Sequence, residues 1–385
     1  MSESIYLPGV AFVVSLLTAV WIHPKVVRIA AVKNITDCPD ERKLHRSPVP
    51  VLGGVVVFLG IAMGVGLTSI GLVDAGLANA NLPNTGAKLT SDIAEMMFWM
   101  AMLVLMLYTG TIDDILGLTA WTRLIIEVVA VLIMIYVGGF VIDNFHGLWG
   151  IGHISLWVGV PLTVVAVVGI INAINLIDGV NGLSSGYCMM ASMLFWLVFN
   201  EAGNTSVATL ALSGVGALIP FFVHNVFGNR QRMFIGDGGT LMMGMMLSLF
   251  VLQLLKQESS MSATTPGDLS LIAFCLSVLS VPVFDTLRVM LRRIVRGLSP
   301  FTPDKTHLHH YFIACGMSHI KTTLSILSLN AVVVAAWYAA YRCGTSQAVQ
   351  LYVVVALSVC FTTIVPLLLR RTADIKEKQK IHTNR

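Results

Sequence analysis

The chain has 385 residues, of which 56% are hydrophobic and only 11% are charged, and its mean hydropathy is +0.82. Because a soluble domain carries about 25% charged residues, this composition excludes a water-soluble globule and predicts a membrane protein. The formal net charge is +4, and we expect membrane lipids, with no nucleic acid, as partners.

Eleven apolar runs follow one another along the chain. They lie at 6–22, 51–73, 96–112, 124–137, 156–174, 183–199, 206–223, 238–255, 269–285, 322–341 and 348–369. A helix needs about 20 apolar residues to cross the hydrocarbon core, so the short fourth and ninth runs should extend into the flanking residues. The pattern predicts an all-α, polytopic integral membrane protein with about 11 transmembrane helices in a single domain, 1–385.

Basic residues divide the connections between these runs into two sides. One side holds 21 of the 24 lysines and arginines, in the segments 23–50, 113–123, 225–237, 286–321 and 370–385. The positive-inside rule makes that side cytoplasmic. We therefore expect an outside N-terminus, a cytoplasmic C-terminus with a basic tail at 370–385, and a short hairpin in the Gly-rich outer segment 138–155.

The first cytoplasmic connection carries a basic cluster just before the second run. Its members include Arg42, Lys43 and His45. Such a cluster at the membrane surface suits binding of an anionic lipid headgroup.

Two adjacent carboxylates, Asp113 and Asp114, end the third run. Adjacent acids repel each other and are best tolerated near Mg²⁺ or a basic cluster; the alternative is a solvated helix end. In the fourth run Glu127 follows Arg123 by four residues, which is the spacing of a helical ion pair.

The end of the fifth run carries Asn172, Asn175 and Asp178 at intervals of three residues, followed by Asn181. This spacing places the first three on one helical face, and their oxygens suit a hard cation or a polar base and ribose. For Asn172 the alternative is a hydrogen bond between helices.

An acid between glycines, Asp237, opens the eighth run. Free N–H groups at a helix start favour phosphate, and neighbouring glycines allow close backbone approach. The alternative is a simple Asp N-cap.

The longest cytoplasmic segment contains several arginines and a cluster of three histidines, His307, His309 and His310. The arginines suit positive-inside anchoring, and for Arg296 this is the preferred interpretation. An anchor does not need imidazole, and no Cys or Glu stands beside the histidines at metal-ligand spacing. We therefore expect the histidines to hydrogen-bond phosphate or a lipid.

Taken together, five motifs closely resemble the bacterial polyprenyl-phosphate N-acetylhexosamine-1-phosphate transferases of glycosyltransferase family 4, over nearly the whole chain. The motifs are RKLHRSPVPVLGG at 42–54, TIDD at 111–114, NAINLIDG at 172–179, GDGG at 236–239 and SPFTPDKTHLHH at 299–310. The HxHH form resembles the N-acetylglucosamine branch more than the muramoyl-pentapeptide branch.

The resemblance implies transfer of N-acetylglucosamine 1-phosphate, or a related N-acetylhexosamine 1-phosphate, from the UDP-sugar to undecaprenyl phosphate, with release of UMP. It implies Mg²⁺, with Mn²⁺ as a substitute, and an active site on the cytoplasmic face of the bacterial inner membrane; a homodimer is left open. The roles that it implies are catalysis by Asp113, Asp114 and Asp178, metal binding by Asp237, Asp178 and Asn175, and substrate binding by Asn175, Arg293, His307, His309 and His310. From the residue pattern we also expect substrate binding by Asn172, Asn181, Arg42, Lys43 and His45.

Asn181 departs from the family pattern, in which many members have a second acid at this position. The departure means either that this acid is dispensable, which we favour, or that the sugar or nucleotide preference differs.

Either Asp113 or Asp114 is a candidate base, with metal or substrate positioning as the alternative. A single in-line displacement is favoured, and a covalent aspartyl route stays open. Activity of the muramoyl-pentapeptide type and secondary transport are the competing functions.

Overall fold

The computed structural model describes residues 2–37, 48–78, 85–228, 231–256, 269–300, 302 and 304–383. Arg42, Lys43 and His45 lie outside the described residues. The helices are α1 Ser2–Val32, α2 Gly53–Ala78, α3 Thr85–Leu116, α4 Ala120–Tyr136, α5 Leu156–Leu176, α6 Leu183–Glu201, α7 Thr205–Phe227, α8 Gly236–Lys256, α9 Leu271–Val278, α10 Ser280–Val295, α11 Leu308–Ala314, α12 His319–Arg342 and α13 Gln347–Thr383. Two short strands, β1 Thr36–Asp37 and β2 Val49–Pro50, pair antiparallel.

The all-α, polytopic architecture predicted from the composition is confirmed. Within the described part of the chain, nine helices are long and apolar enough to cross a membrane. The fourth predicted run is α4, which has 17 residues, and the ninth is a bent pair of helices. The count of eleven and the orientation of the termini remain predictions.

The ninth predicted span is not one straight helix, because α9 and α10 meet at 76°. A bend frees backbone groups that lipid cannot satisfy, and here Asn330 of α12 satisfies them. Its Oδ1 accepts hydrogen bonds from the Ser280 hydroxyl at 2.7 Å and the Val281 N–H at 3.1 Å, while its Nδ2 donates to the carbonyls of Ser277 and Val278 at 3.3 and 3.1 Å.

The centre of the molecule is α8, which is apolar on every side. Met242, Met243, Met245 and Met246 are all fully buried, as expected for a helix without a polar face. Helices α2, α3 and α5 pack against it, and α1, α2 and α7 form a second group beside them. This central position fixes the start of α8, and therefore Asp237, relative to the surrounding helices.

At the end of the bundle where α8 begins, distant connections share backbone hydrogen bonds. The Gly53 N–H donates to the Phe234 carbonyl at 3.0 Å, and the Gly54 N–H donates to the Ile235 carbonyl at 2.8 Å. A Cβ on Gly54 would overlap the backbone of Gly239. Glycine is therefore required where α2 and α8 start side by side.

At the opposite end, the segment between α4 and α5 folds back on itself through an antiparallel bridge between Asn144 and His153. This agrees with the hairpin expected at 138–155. The His146 side chain contacts the Leu255 carbonyl at 2.9 Å, so this hairpin lies against the end of α8.

The basic tail at 370–385 stays a prediction, and in the structure its start is helical. Helix α13 continues through the tail as far as Thr383.

Candidate active site

A cavity of about 570 Å³ opens at the end of the bundle where α8 begins. Of the residues singled out in the sequence, those lining it are Asp114, Asn175, Asp178, Asn181, Asp237 and His310. They come from the ends of α3, α5 and α8, from the connection between α5 and α6, and from α11. The predicted convergence of these segments at one end of the bundle is therefore present in the structure.

The carboxylate of Asp114 caps the first turn of α8. Its two oxygens accept the N–H groups of Asp237 at 3.0 Å and Gly238 at 3.2 Å. The interpretation of this helix start as a phosphate site with free N–H groups is wrong for these two donors, because an acid from α3 occupies them. A Cβ on Gly110 would overlap the backbone of Asp237, so Gly110 allows α3 to approach closely enough for the cap.

Asp113 is not among the residues that line the cavity, and it pairs with Arg123 of α4. Arg123 Nη1 lies 3.0 Å from Asp113 Oδ2, and the other Asp113 oxygen accepts the Leu118 N–H at 2.7 Å. The same Nη1 lies 3.6 Å from Asp237 Oδ2. The sequence pattern missed Arg123 as a site residue, because it indicated only the helical pair with Glu127, which the structure contains at 3.9 Å.

Asn172 does not line the cavity. Its Nδ2 donates to Glu127 at 2.5 Å and to the Val168 carbonyl at 3.0 Å. The contact between α5 and α4 matches the alternative interpretation of Asn172 and not the predicted contact with substrate.

Asp178 reaches the cavity from the turn after α5. It accepts a hydrogen bond from the Ser184 hydroxyl. Although Asp178 is accessible from the cavity, the surrounding protein displaces water and raises its pKa to about 6; the Ser184 hydrogen bond opposes this shift and the nearby Asp237 carboxylate adds to it. The neighbouring Asn175 Nδ2 is buried without a hydrogen-bond partner among the described residues.

Two residues that the sequence analysis did not select hold the turn after α5. The Gly182 N–H donates to Asn225 Oδ1 at 2.7 Å, and the Asn181 N–H donates to His319 Nδ1 at 3.2 Å. Asn225 and His319 also line the cavity. Both stand in segments predicted to be cytoplasmic, but outside the five motifs.

The histidine cluster is organised by a buried acid that the sequence analysis also missed, Asp285. It contacts His307 Nδ1 at 2.9 Å, accepts the Leu308 N–H at 3.2 Å at the start of α11, and accepts from Arg288 at 2.6 Å. The His309 ring lies against Gly179, where a Cβ would overlap its Nε2. The cluster therefore packs directly on the turn that carries Asp178.

The three imidazoles each keep a ring nitrogen available. His307 Nε2, His309 Nε2 and His310 Nδ1 are buried and have no hydrogen-bond partner in the described part of the chain. Burial lowers the pKa of His310 to about 4, with the neighbouring His307 adding to the effect, and it lowers the pKa of His309 well below its ordinary value. Both rings are therefore neutral at pH 7. The rings of His309 and His310 lie 4.1 Å apart.

Arg293 does not line the cavity either, contrary to its predicted role near a diphosphate. Its guanidinium donates to the Pro300 carbonyl at 2.5 Å and lies 3.2 Å from Asp304. Burial alone would raise the pKa of Asp304, but hydrogen bonds from Arg293 and Thr306 hold it below its ordinary value. Arg293 thus fixes the segment that leads to the histidines.

The acids of the cavity fit a magnesium ion in number and type. No group of three His, Cys, Asp or Glu side chains in the described residues converges as a ready metal site. Mg²⁺, however, is usually held by one or two carboxylates together with water and substrate phosphates. Asp178 and Asp237 line the same cavity, and the Asn175 amide lies beside them.

These features define an all-α, polytopic membrane protein with an acidic cavity at one end, flanked by a histidine cluster. The family model described as glycosyl transferase family 4 matches residues 96–255. A Bacillus subtilis protein named "Probable undecaprenyl-phosphate N-acetylglucosaminyl 1-phosphate transferase" is 32% identical over 82% of this chain and 80% of its own length. The chain belongs to glycosyl transferase family 4, which confirms the resemblance of its motifs.

Enterobacterial relatives match over a similar length. The undecaprenyl-phosphate alpha-N-acetylglucosaminyl 1-phosphate transferase of Salmonella typhi is 25% identical over 83% of this chain and 80% of its own. The protein of the same name from Escherichia coli K12 is 26% identical over 80% of this chain and 77% of its own. These matches cover far more of the chain than the segment 96–255 alone.

Proposed function

We propose that this chain transfers N-acetylglucosamine 1-phosphate from UDP-N-acetylglucosamine to undecaprenyl phosphate and releases UMP. Similarity to relatives that are named for this transfer supports the proposal. The structural observation that carries it is the cavity lined by Asp114, Asn175, Asp178, Asp237 and His310. It supplies acids, an amide and an imidazole at the end of a membrane bundle, where a water-soluble nucleotide and a lipid can meet.

Both reactants are phosphates, so their mutual repulsion must be reduced before attack. The neutral His310 ring faces the cavity and suits hydrogen bonding to a phosphate oxygen. The Asn175 amide and the Asn181 side chain suit the polar groups of the nucleotide. Asp178 and Asp237 would hold Mg²⁺, or Mn²⁺ in its place, and the ion supplies charge neutralisation of the diphosphate when bound.

The two acids of the DD pair have different surroundings, which bears on the choice of a base. Asp113 is engaged by Arg123 and the Leu118 N–H, and Asp114 is engaged by two N–H groups of α8. We therefore assign both to positioning. A phosphate monoester has a second pKa near 6, so the lipid phosphate is largely dianionic at neutral pH and attacks without needing a strong base.

We also propose that the cavity faces the cytoplasm of the bacterial inner membrane. The cavity lies at the end of the bundle that carries most of the lysines and arginines, which the positive-inside rule assigns to the cytoplasm. Single-cysteine labelling at Ser299 in intact cells and in inverted vesicles tests this orientation. We expect labelling by an impermeant maleimide only in the inverted vesicles.

The test of the function is an assay of the purified chain in detergent with undecaprenyl phosphate, Mg²⁺ and a panel of UDP-sugars. We expect UMP release with UDP-N-acetylglucosamine, dependent on both the acceptor and the metal. Release with UDP-N-acetylmuramoyl-pentapeptide alone would move the chain to the muramoyl branch. Substrate uptake by vesicles without UMP formation would replace the proposal with transport.

A further inference from the structure

We propose that Glu127 is a positioning residue that, together with Asn172, holds Arg123 in a place where it neutralises Asp113 and leaves Asp237 open to the cavity. The inference deepens the proposed function and rests on it for its effect on turnover. It gives Glu127 and Asn172, which lie outside the cavity, a role in the site.

Glu127 is fully buried in α4. A carboxylate without contact to water inside a membrane bundle is costly unless it is paired. One of its oxygens accepts the hydrogen bond from Asn172 at 2.5 Å. The other lies 3.9 Å from Arg123 Nε and has no hydrogen-bond partner within the described residues. Its orientation is thus set by Asn172, and its second oxygen faces Arg123.

Arg123 is surrounded by three carboxylates at three different distances. Its Nη1 lies 3.0 Å from Asp113, within hydrogen-bond range, and 3.6 Å from Asp237, beyond that range. Its Nε is turned towards Glu127. The guanidinium therefore lowers the negative potential around Asp237 without using the Asp237 oxygens as hydrogen-bond acceptors.

Removal of the Glu127 charge changes this balance. A guanidinium attracted by Asp113 and Asp237 alone moves closer to Asp237, which lies 3.6 Å away and is not yet hydrogen-bonded to it. A direct pair between Arg123 and Asp237 would compete with a cation for the same oxygens. Glu127 therefore maintains the gap between Arg123 and Asp237.

The test is a double-mutant cycle of Glu127→Gln and Arg123→Gln in the full-length chain in detergent. The amide introduced by Glu127→Gln keeps an acceptor for Asn172 but loses the charge. Two quantities are measured: the Mg²⁺ concentration that gives half of the shift in unfolding temperature without substrates, and kcat for UMP release. Glu95→Gln is the matched control, because Glu95 pairs with Lys256 at 3.6 Å at the other end of the bundle.

We expect Glu127→Gln to raise the half-maximal Mg²⁺ concentration and to lower kcat, each by about tenfold, which corresponds to about 1.4 kcal/mol. In the Arg123→Gln background the same change should have no further effect on Mg²⁺, because no guanidinium remains to cover Asp237. A wild-type Mg²⁺ response of Glu127→Gln, or an equal loss in both backgrounds, would overturn the inference. The Mg²⁺ readout needs no substrate, so a wild-type chain without UMP release refutes the proposed function separately.

A second variant covers the case in which Glu127→Gln does not fold. Asn172→Ala removes the hydrogen bond that orients Glu127 but retains the charge pair, and we expect a weaker Mg²⁺ response in the same direction with an unchanged KM for the UDP-sugar. A raised KM with a wild-type Mg²⁺ response would instead make Asn172 a substrate ligand and overturn its assignment as a positioning residue.

Discussion

The Asp114 carboxylate from α3 binds the backbone N–H of Asp237, 123 positions later in the chain, at 3.0 Å. The acid that first suggested a catalytic base therefore serves as a helix cap supplied by another helix. It holds the first turn of α8 in place, and with it the Asp237 side chain at the edge of the cavity. Asp114 binds backbone N–H groups, whereas the Asp237 side chain lies at the cavity. Substitutions at the two positions should therefore affect stability and activity differently.

Asp114→Ala should reduce stability and activity together. Loss of a helix N-cap costs about 1 to 2 kcal/mol, and the freed first turn of α8 no longer fixes Asp237. Asp114→Asn, which keeps one acceptor, should recover most of the stability. Thermal unfolding in detergent measures the first effect and UMP release the second. Full stability of Asp114→Ala would show that the cap contributes nothing.

Asp237→Asn should remove most of the UMP release while leaving the unfolding temperature nearly unchanged. The amide has nearly the shape of the carboxylate but lacks the charge that attracts Mg²⁺. The control is Asp143→Asn, the same change at an exposed acid near His153 at the opposite end of the bundle. Near-normal turnover of Asp237→Asn would refute the assignment of Asp237 to the metal.

Gly179→Ala should impair activity by displacing the histidine cluster. The added methyl group would overlap the His309 imidazole, and a misplaced group in an active site can cost up to about a hundredfold in rate. Gly66→Ala is the control, since nothing lies within 4 Å of a Cβ on this exposed helical glycine. The comparison uses kcat at saturating substrates; equal rates for both variants would mean that the His309 position is unimportant.

Asn330→Ala should destabilise the bend between α9 and α10. Five hydrogen bonds to one side chain are lost, the four at the bend and one from the Tyr187 hydroxyl at 3.1 Å. Bonds of this kind within membrane proteins average about 0.6 kcal/mol each, which gives a total near 3 kcal/mol. Thermal unfolding in detergent, compared with Ser69→Ala on the exposed face of α2, measures the loss. An unfolding temperature equal to that of the wild-type protein would mean that other groups satisfy the freed backbone.

The histidine cluster should make the fold sensitive to acid. Burial places the pKa of His310 at about 4, below the ordinary value of about 6.5. Between these values the unfolded chain binds more protons than the folded one, so the contribution of His310 is complete above pH 6.5 and is lost as the pH falls towards 4. His307 and Lys305 add to the lowering, whereas Asp285 and Asp304 oppose it.

His310→Asn should therefore lose less stability than the wild-type protein between pH 6.5 and 4.5, in thermal unfolding at fixed salt. His153→Asn, at an imidazole on the opposite side of the bundle, is the control. Parallel pH profiles for His310→Asn and the wild type would contradict the shift assigned to His310.

Much of this arrangement could be predicted from the sequence. The apolar runs placed the helices, and the polar residues at their ends placed Asp114, Asp178, Asp237 and His310 together. The pattern could not show which partner each side chain selects. Arg123 was expected to pair along its own helix, but the turn at 117–119 also brings it back to Asp113. Arg293 and Asn172 were expected at the substrate, and each has a protein partner that the sequence does not reveal.

The break at Leu279 was missed for a related reason. Residues 269–285 form one continuous apolar run, and hydropathy does not register a change of direction. The compensating residue, Asn330, lies two helices further along the chain, where a single amide in an apolar run resembles any other. The bend depends on residues 269–285 and on Asn330 of α12 together, so neither segment alone predicts it.

The backbone pairing of Gly53 and Gly54 with the residues just before α8 has a consequence for biosynthesis. During membrane insertion the start of α2 emerges from the ribosome long before its partners at Phe234 and Ile235 exist. An early fragment of the chain can span the bilayer, but its future catalytic end stays incomplete until the later helices arrive. Translation products that stop before α8 should therefore be inert, so a growing chain would not consume nucleotide sugar before it is finished.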